Sequence, residues 1–561
     1  MDLRIVTNVY LAFLRVAAPV LAALLLLRCA LPLLTFRREP EIWGWLLHSD
    51  GSKNSIIHWE TVIGRSKHCD IVLTFPTVSR NHAVLTRYDD GSWTICDAGS
   101  KGGVFLNGNP VQIAALKDGD ELLIGGVGMT FQPATPQQEA EQANLRPKAA
   151  NGWSSIGNLT LLSLFQMCTC LGFVLTGGNR AGLLIAWGGL VGLQWMLMIF
   201  YFGIRRPAFE VETLAFFLCS LGMAVISAVA PTEAVKQLIA ITLGVCLFLI
   251  IGWTLRSLER VKWIRYFAAV AGMALLVVTL LFGQEYYGAK NWLIIAGVSL
   301  QPSELSKICF VYVGASTMDH LMQKRNLILF IAYTVALCGL LALMNDFGTA
   351  MVFFCAFLMI AYLRSGSVGT VALACTALLF AAVIGLHIAP HALRRLQTWR
   401  HIWEDPWGAG YQQTQALMCL ASGGLFGLGL GQGKMKHLFA ADSDMVFAAL
   451  SEEWGLLVAV MAVLCIVVFA LFSLRCAGAS RSSFYAIGGC TAVAILLVQT
   501  IANVLGTVDV LPLTGVTFPF VSNGGSSMLC VWGLLAFIKA ADTRQNGSFA
   551  VKVQHRRVGY A

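Results

Sequence analysis

The chain has 561 residues, of which 57% are hydrophobic and only 12% are charged. Soluble domains carry about 25% charged residues, so this composition excludes an ordinary soluble enzyme and favours a protein that crosses a membrane repeatedly. The net charge of +9 lies largely in short loops, where basic residues mark the cytoplasmic side of a membrane protein, and it gives no reason to expect nucleic-acid binding. These basic positions are Arg205-Arg206, Arg256 with Arg260, Lys324-Arg325 and, near the C-terminus, Arg556-Arg557.

The N-terminal part of the chain combines one apolar run with a region of different composition. The run near residues 8–34 can span a bilayer as a helix and is too long for the apolar core of a signal peptide, so we expect a retained span. Residues 40–134 show short β-rich runs separated by Asp-Gly and Asn-Gly turns, which predict an antiparallel β-sandwich. The polar segment 135–152 is predicted to be a linker.

The rest of the chain predicts a helical membrane bundle. Twelve apolar segments follow the linker, and most are close to the length that crosses the hydrocarbon core as a helix. The expected fold is therefore a mainly α polytopic membrane bundle of about 12–13 transmembrane helices, with an all-β sandwich inserted near the N-terminus. The segments lie near 156–176, 181–203, 209–230, 235–254, 263–283, 303–320, 327–343, 350–363, 369–388, 445–474, 484–506 and 524–541.

The positions of the basic loops also predict a topology. If the short basic loops are cytoplasmic, the sandwich and the C-terminus are inside, while the N-terminus and the loops near 284–302 and 389–444 are outside. The second of these outer loops runs against the charge rule, because it contains five basic residues. Long loops are translocated regardless of their charge; alternatively, these residues cradle an anionic substrate such as a lipid-linked phosphate or pyrophosphate. They are Arg394, Arg395, Arg400, Lys434 and Lys436.

The sandwich resembles the forkhead-associated (FHA) family. The resemblance is carried by Gly64-Arg65 after a predicted strand, by the block Ser79-Arg80-Asn81-His82, and by the turn Asn107-Gly108, all in the family order. The resemblance implies that Arg65 and Ser79 bind a phosphothreonine and that Arg80 borders the pocket. These residue types fit that role, because a guanidinium and a hydroxyl can both donate hydrogen bonds to a phosphate. His82 is interpreted as structural.

This chain departs from the FHA pattern at one position. Gly102 stands where the family usually has an asparagine that grips the backbone of the bound peptide. The departure leaves two readings open, a phosphate site with altered peptide affinity or an FHA fold that is used only as a docking face.

The membrane region resembles the SEDS family, which includes RodA, FtsW and SpoVE. The resemblance covers roughly residues 205–541. Two positions depart from it: Asn291 stands where the family has an arginine, and Asn523 stands where it has a tyrosine. The motifs occur in the family order: GAKNWLIIAGVSLQPSELSK (288–307), NDFGTA (345–350), DPWGAGYQ (405–412), SGGLFGLGLGQG (422–433), the segment LFAADSDM (438–445) and PFVSNGGSS (519–527).

The SEDS resemblance assigns roles to individual residues. Asp444 matches the catalytic aspartate of the family, and a carboxylate near a hydroxyl acts as a general base. Cations near a pyrophosphate offset its developing charge, so Lys434 and Arg395 are candidate substrate contacts. Glu304 and Lys307 complete this candidate set and, spaced i, i+3 on one helix face, are expected to pair.

The sequence identifies no certain cofactor and leaves a divalent cation open. Its 16 cysteines are scattered through apolar runs without the spacing of a metal site and are interpreted as buried apolar residues. If Asp442 and Asp444 face one cavity, they either raise each other's pKa or hold a divalent cation such as Mg²⁺ or Mn²⁺. The alternative for Asp442 is a solvated loop carboxylate.

The two resemblances together imply a bacterial inner-membrane enzyme that polymerises lipid II into peptidoglycan strands. The implied partners are a class B penicillin-binding protein and a phosphothreonine-containing protein that docks on the sandwich. Two rival hypotheses are a lipid II flippase and a non-catalytic membrane scaffold. The predicted domains are a first span (1–39), the FHA sandwich (40–134), the linker (135–152), an added helix pair (153–204), the SEDS-like core (205–541) and a cytoplasmic basic tail (542–561).

Overall fold

The computed structural model contains a β-sandwich followed by a bundle of long helices. Its described residues are 3–36, 41–67, 69–88, 90–146, 149, 152–176, 180–286, 289–295, 298–316, 324–365, 368–388 and 390–547. The strands of the sandwich are β1 (Gly44–His48), β2 (Lys53–Ile56), β3 (Glu60–Gly64), β4 (Ile71–Val72), β5 (Ala83–Arg87), β6 (Trp93–Asp97), β7 (Val104–Leu106), β8 (Asn109–Val111), β9 (Ile113–Leu116), β10 (Glu121–Ile124) and β11 (Val127–Pro133).

The sandwich consists of two packed sheets, as the sequence predicts. One sheet has the order β2-β1-β11-β10-β7-β8 and the other the order β4-β3-β5-β6-β9. All paired strands are antiparallel except β3 and β4, which are parallel. The side chains of Leu46, Ile63, Ile95 and Phe131 are fully buried between the sheets, because alternate residues of a strand point to the same face.

The predicted linker is more ordered than its composition indicated. It contains helix α2 (Pro136–Leu145), which begins at a reciprocal capping arrangement between Thr135 and Gln138. The Arg146 guanidinium binds the Glu41 carboxylate through two nitrogens, and this bidentate pair ties the end of the segment back to the sandwich. The linker interpretation for residues 135–152 is therefore corrected over the length of α2, which forms part of the sandwich unit.

A helix overlaps each of the thirteen segments predicted to span the membrane. Within the described residues, nine helices are long and apolar enough to cross a membrane, and three shorter apolar helices occupy further predicted segments. The helices are α1 (Leu3–Thr35), α3 (Gly152–Thr176), α4 (Arg180–Gly203), α5 (Glu210–Val229), α6 (Ala234–Thr254), α7 (Leu258–Phe282), α8 (Pro302–Ser316), α9 (Lys324–Leu343), α10 (Phe347–Ser365), α11 (Val368–Ile388), α12 (Pro390–Thr398), α13 (Tyr411–Gly423), α14 (Val446–Trp454), α15 (Leu456–Ala477), α16 (Ser483–Thr507) and α17 (Gly525–Ala540).

The start of the predicted C-terminal tail belongs to the packed body of the protein. Arg544 is fully buried and binds Asp542 at 2.8 Å and Glu210, the first residue of α5, at 3.3 Å. The interpretation of residues 542–561 as a basic tail is thus corrected for residues 542–547, whereas 548–561, which include both tail arginines, lie outside the described residues.

The sandwich contacts the bundle at the connection between α15 and α16. The backbone N–H of Trp59 donates to the Arg481 carbonyl at 2.7 Å, and Leu258 at the start of α7 packs against the sandwich core. We call this end of the bundle the sandwich end and the opposite end the far end. Helix α16 runs from one end to the other and, at 1.5 Å per residue, its 25 residues extend over about 37 Å.

The far end carries structure where the sequence predicted loops. The loop predicted near 284–302 contains the antiparallel strands β12 (Gln284–Tyr286), β13 (Ala289–Ile295) and β14 (Val298–Leu300). The long loop predicted over 389–444 contains α12 and α13 together with a short 3₁₀ turn at Met435–His437. These elements give the polar residues of the far end fixed positions.

Candidate active site and phosphate pocket

The segment around residue 444 is a loop at the far end, between α13 and α14. Three consecutive carbonyls, those of residues 442–444, are each held by a different donor. The Asn523 backbone N–H donates to the first at 2.7 Å, the Ser522 hydroxyl to the second at 2.6 Å, and the Asn503 side-chain amide to the third at 2.9 Å. Residues distant in sequence therefore fix the path of this loop.

The Asp444 carboxylate is available for chemistry. It makes no hydrogen bond or ion pair with the described residues, and it lies in the loop, outside the membrane-spanning helices. Burial raises the pKa of Asp444 to about 6; the Arg395 guanidinium opposes this shift, and the Asp442 and Asp346 carboxylates add to it. Such a carboxylate is mostly ionised at neutral pH and basic enough to accept a proton from a reacting hydroxyl.

Asp442 has a different environment from Asp444. Its Oδ2 atom accepts a hydrogen bond of 2.7 Å from the Asn523 side-chain amide, so one oxygen of this carboxylate is already engaged. Among the residues that the structure describes, no group of three or more His, Cys, Asp or Glu side chains is arranged to hold a metal ion. A divalent cation shared by the two aspartates stays a prediction.

Asp346 is a site residue that the sequence reasoning missed. Its Oδ2 atom faces the side-chain amides of Asn291 and Gln301, each at 3.4 Å, and its Oδ1 atom accepts from the Thr349 backbone N–H at 3.1 Å. Asp346 thereby links the strand β13, the start of α8 and the start of α10, and it lies within electrostatic reach of Asp444. The available signal was the aspartate of the NDFGTA motif.

The pair of Glu304 and Lys307 forms as the sequence predicts, with 2.7 Å between the Lys307 ammonium and the Glu304 carboxylate. Only 5% of the Glu304 side chain and 1% of the Lys307 side chain are exposed. The two charges are therefore paired inside the bundle, although the second Glu304 oxygen, Oε2, is buried without a hydrogen-bond partner among the described residues. Direct binding of substrate by this pair stays a prediction.

The two other candidate substrate contacts are cations on the surface of the far end. Lys434 is exposed, and its ammonium forms no ion pair with the residues described. Its backbone N–H donates to Glu452 Oε1 at 2.9 Å, which holds the start of the 3₁₀ turn. Arg395 is also exposed and reaches the Leu513 carbonyl at 3.4 Å, beside the polypeptide that follows α16.

The glycine-rich motif before Lys434 allows this loop to pack closely on α14. Gly427 has a φ of +78°, and a Cβ atom at this position would stand 2.1 Å from the Glu453 carbonyl oxygen. At Gly433 a Cβ would stand 2.7 Å from a carboxylate oxygen of Glu452. Side chains at these positions would push the loop away from α14, and Lys434 would move with it.

The sandwich places the predicted phosphate-binding residues together at the end of β3. The Arg65 backbone N–H donates to the Ser79 carbonyl at 2.9 Å, and the Ser79 hydroxyl oxygen accepts from the Lys101 backbone N–H at 3.1 Å. The Ser79 hydroxyl can therefore still donate its own proton. The exposed guanidinium groups of Arg65 and Arg80 form no ion pair with the described residues.

His82 supports this pocket from below. Its side chain is fully buried; Nδ1 accepts from the Ser79 backbone N–H at 3.0 Å, so Nε2 carries the proton and donates to the Gly103 carbonyl at 3.0 Å. The structural role predicted for His82 is thus confirmed. A Cβ atom on Gly102 would meet its neighbours at 3.4 Å or more, which is ordinary contact distance.

Comparisons with known proteins agree with both parts of the structure. Residues 210–547 match the family model of the FtsW/RodA/SpoVE cell cycle proteins, and residues 61–125 match the FHA domain model. The chain is 31% identical over 327 residues to the peptidoglycan glycosyltransferase RodA of Mycobacterium tuberculosis, covering 54% of this chain and 69% of that protein. It is 31% identical over 364 residues to the probable peptidoglycan glycosyltransferase FtsW of Tolumonas auensis, covering 61% and 94%.

A solved structure shows the same fold. The solved structure is described as the structural coordination of polymerization and crosslinking by a peptidoglycan synthase complex. One of its chains is 24% identical to this chain, with a TM-score of 0.50, and the match covers 59% of this chain and 96% of that one. Fold and site define a multi-pass membrane protein with a carboxylate-centred polar site and an FHA domain. The chain belongs to the FtsW/RodA/SpoVE family.

Proposed function

We propose that the chain is a SEDS-type peptidoglycan glycosyltransferase that polymerises lipid II into glycan strands. The observation that carries the proposal is the Asp444 carboxylate, which lies in a fixed loop, has no hydrogen-bond or ion-pair partner among the described residues, and has Arg395 in electrostatic reach. The names of the relatives from Mycobacterium tuberculosis and Tolumonas auensis support it. The test is glycan-strand formation from purified lipid II by the full-length chain, with and without a co-purified partner.

The proposed reaction joins two lipid-linked glycans. The 4-hydroxyl of lipid II attacks the anomeric carbon of the growing strand, the bond from that carbon to the pyrophosphate oxygen breaks, and undecaprenyl pyrophosphate leaves. Asp444 accepts the proton of the attacking hydroxyl. Arg395 and Lys434 offset the negative charge that develops on the pyrophosphate.

We propose that the sandwich end faces the cytoplasm and the far end faces the outside of a bacterial inner membrane. Four basic residues support this orientation, because they lie at the sandwich end and basic residues near the ends of spans stay inside. Arg205, Arg206 and Arg256 lie in loops, and Arg260 lies in the first turn of α7.

Cysteine labelling tests the orientation. In a background without native cysteines, an impermeant reagent added from outside should modify Ser422→Cys, at the far end, and leave Ser92→Cys, on the sandwich, unmodified. Both serines are exposed, so a difference in labelling reports sidedness rather than burial. The reverse pattern would contradict both the orientation and the transferase proposal, because the glycan is assembled outside.

The FHA domain is proposed to bind a phosphothreonine segment of a cytoplasmic protein. Arg65→Ala should weaken binding of a phosphothreonine peptide by about 10- to 150-fold, because charge-assisted hydrogen bonds contribute about 1.5–3 kcal/mol. Binding is measured by titrating the full-length chain with matched phosphorylated and unphosphorylated peptides.

Gly102→Asn should tighten binding, since the site has room for a Cβ atom. Equal affinity of the parent for both peptides would leave only the docking-face alternative.

The proposed partner at the membrane is a class B penicillin-binding protein. A transpeptidase that crosslinks the new strands would need to stand beside the polymerase. The similarity in fold to a chain from a peptidoglycan synthase complex supports this partner, and co-purification of the two proteins tests it.

A further inference from the structure

The FHA domain holds the first turn of α16 through one carboxylate. Glu60, the first residue of β3, accepts a hydrogen bond of 2.9 Å from the Ser482 hydroxyl. It also accepts from the Ser483 backbone N–H at 3.0 Å and from the Ser483 hydroxyl at 3.2 Å. The carboxylate satisfies the Ser483 N–H, one of the helix N–H groups that lack a partner within the helix, and interacts favourably with the helix dipole. A residue of the cytoplasmic domain thus completes the cap of a membrane helix.

Further contacts make this junction rigid. The Arg481 guanidinium lies 4.9 Å from the centre of the Trp59 ring and 5.3 Å from that of Tyr485. The Tyr485 hydroxyl donates to the Leu255 carbonyl at 2.8 Å, which joins the start of α16 to the end of α6. The sandwich, α16 and the neighbouring loop are therefore connected by packed side chains as well as by the cap.

The other end of α16 holds the candidate catalytic loop. The side-chain amide of Asn503 donates to the carbonyls of Asp444 and Val516, both at 2.9 Å, and Asn503 is only 2% exposed. Twenty residues separate Asn503 from Ser483, so the cap and this double hydrogen bond are about 30 Å apart along one helix. A shift or rotation of α16 would displace the backbone that carries Asp444.

The phosphate pocket lies on the same connected path. Strand β3 runs from Glu60 to Gly64, and Arg65 is the next residue. At about 3.3 Å per residue, the pocket stands about 16 Å along the strand from Glu60. Paired to β4 and β5, β3 is a stiff element between the phosphate site and the helix cap.

We propose that Glu60 is a positioning residue for the transferase site. Glu60 fixes the position of α16, and α16 in turn sets the position of Asp444 through Asn503. A phosphopeptide bound at Arg65 acts through β3, Glu60 and α16 and thereby changes the polymerisation rate. The inference rests on the proposed transferase function. A ligand acts in this way when it binds one placement of α16 more tightly than another, and couplings between sites typically amount to about 5- to 150-fold.

Glu60→Gln tests the inference, because an amide cannot accept from all three donors at the helix start. We expect the maximal rate of glycan formation to fall at least about fivefold, with KM for lipid II unchanged. A phosphothreonine peptide should change the rate of the parent by a comparable factor, and the variant should bind the peptide without a change in rate. Glu121→Gln, at an exposed position of the same domain, is the matched control and should behave like the parent.

A second variant addresses the far end of the helix. Asn503→Asp is isosteric but has no N–H group to donate to the two carbonyls, and it should lower the maximal rate with and without peptide. The inference is overturned if Glu60→Gln retains the parent's rate and the parent's response to peptide, or if the parent binds the peptide and its rate does not change. A parent that makes no glycan from lipid II would overturn the proposed function itself, and the inference with it.

Discussion

Asp444→Asn should lower the rate of glycan-strand formation by about 10²- to 10⁴-fold, the usual contribution of a general base. Asparagine has the shape of aspartate but cannot take up the proton of the attacking hydroxyl. The fold should persist, since the hydrogen bonds that hold residues 442–444 involve their backbone carbonyls, which the substitution keeps. Initial rates with purified lipid II are the measurement, with expression and melting temperature checked for the variant.

The pH dependence of the parent provides an internal check on this assignment. Because the pKa of Asp444 is raised to about 6, the rate should fall as the pH decreases through about 6 and the base becomes protonated. Asp442→Asn removes a nearby negative charge, so it should shift this fall to lower pH and leave most of the activity. Polymerisation by Asp444→Asn at the parent's rate would contradict the assignment of Asp444 as the general base. If the parent itself made no glycan, reduced lipid II transport in Asp444→Asn would favour a flippase, and unchanged transport a scaffold.

Much of the fold could be predicted because its signals are local. An apolar segment of about 20 residues has few stable conformations in a bilayer other than a helix, and the β-rich runs of residues 40–134 are bounded by turn residues. The sequence-based predictions were wrong where contacts with other parts of the chain give a polar segment its structure. Helix α2 depends on the Thr135–Gln138 cap and the pair of Arg146 with Glu41, and the second of these joins residues far apart in the chain.

The candidate site was predictable only where a motif marked it. Asp444, Arg65 and Ser79 were found by their similarity to family motifs, and the pairing of Glu304 with Lys307 followed from helix periodicity. The role of Asn503 was not predictable, because an asparagine within an apolar helix gives no indication of which loop it will hold. Its partners, the carbonyls of Asp444 and Val516, become visible only in the folded chain.

Arg544→Ala should destabilise the protein by about 3–5 kcal/mol, the usual cost of removing one partner from a buried ion pair. The guanidinium forms ion pairs with Asp542 and Glu210, and its removal takes this ion-pair partner from two buried carboxylates. The consequence reaches the bundle because Glu210 begins α5, whose residues are almost all buried. Thermal unfolding of the detergent-solubilised chain measures the loss. Arg475→Ala, on the exposed side of α15, is the matched control and should change stability by about 0.5 kcal/mol or less. Equal melting temperatures for both variants would contradict the assignment of residues 542–547 to the packed body. The segment would then be assigned to the basic tail that its composition predicts.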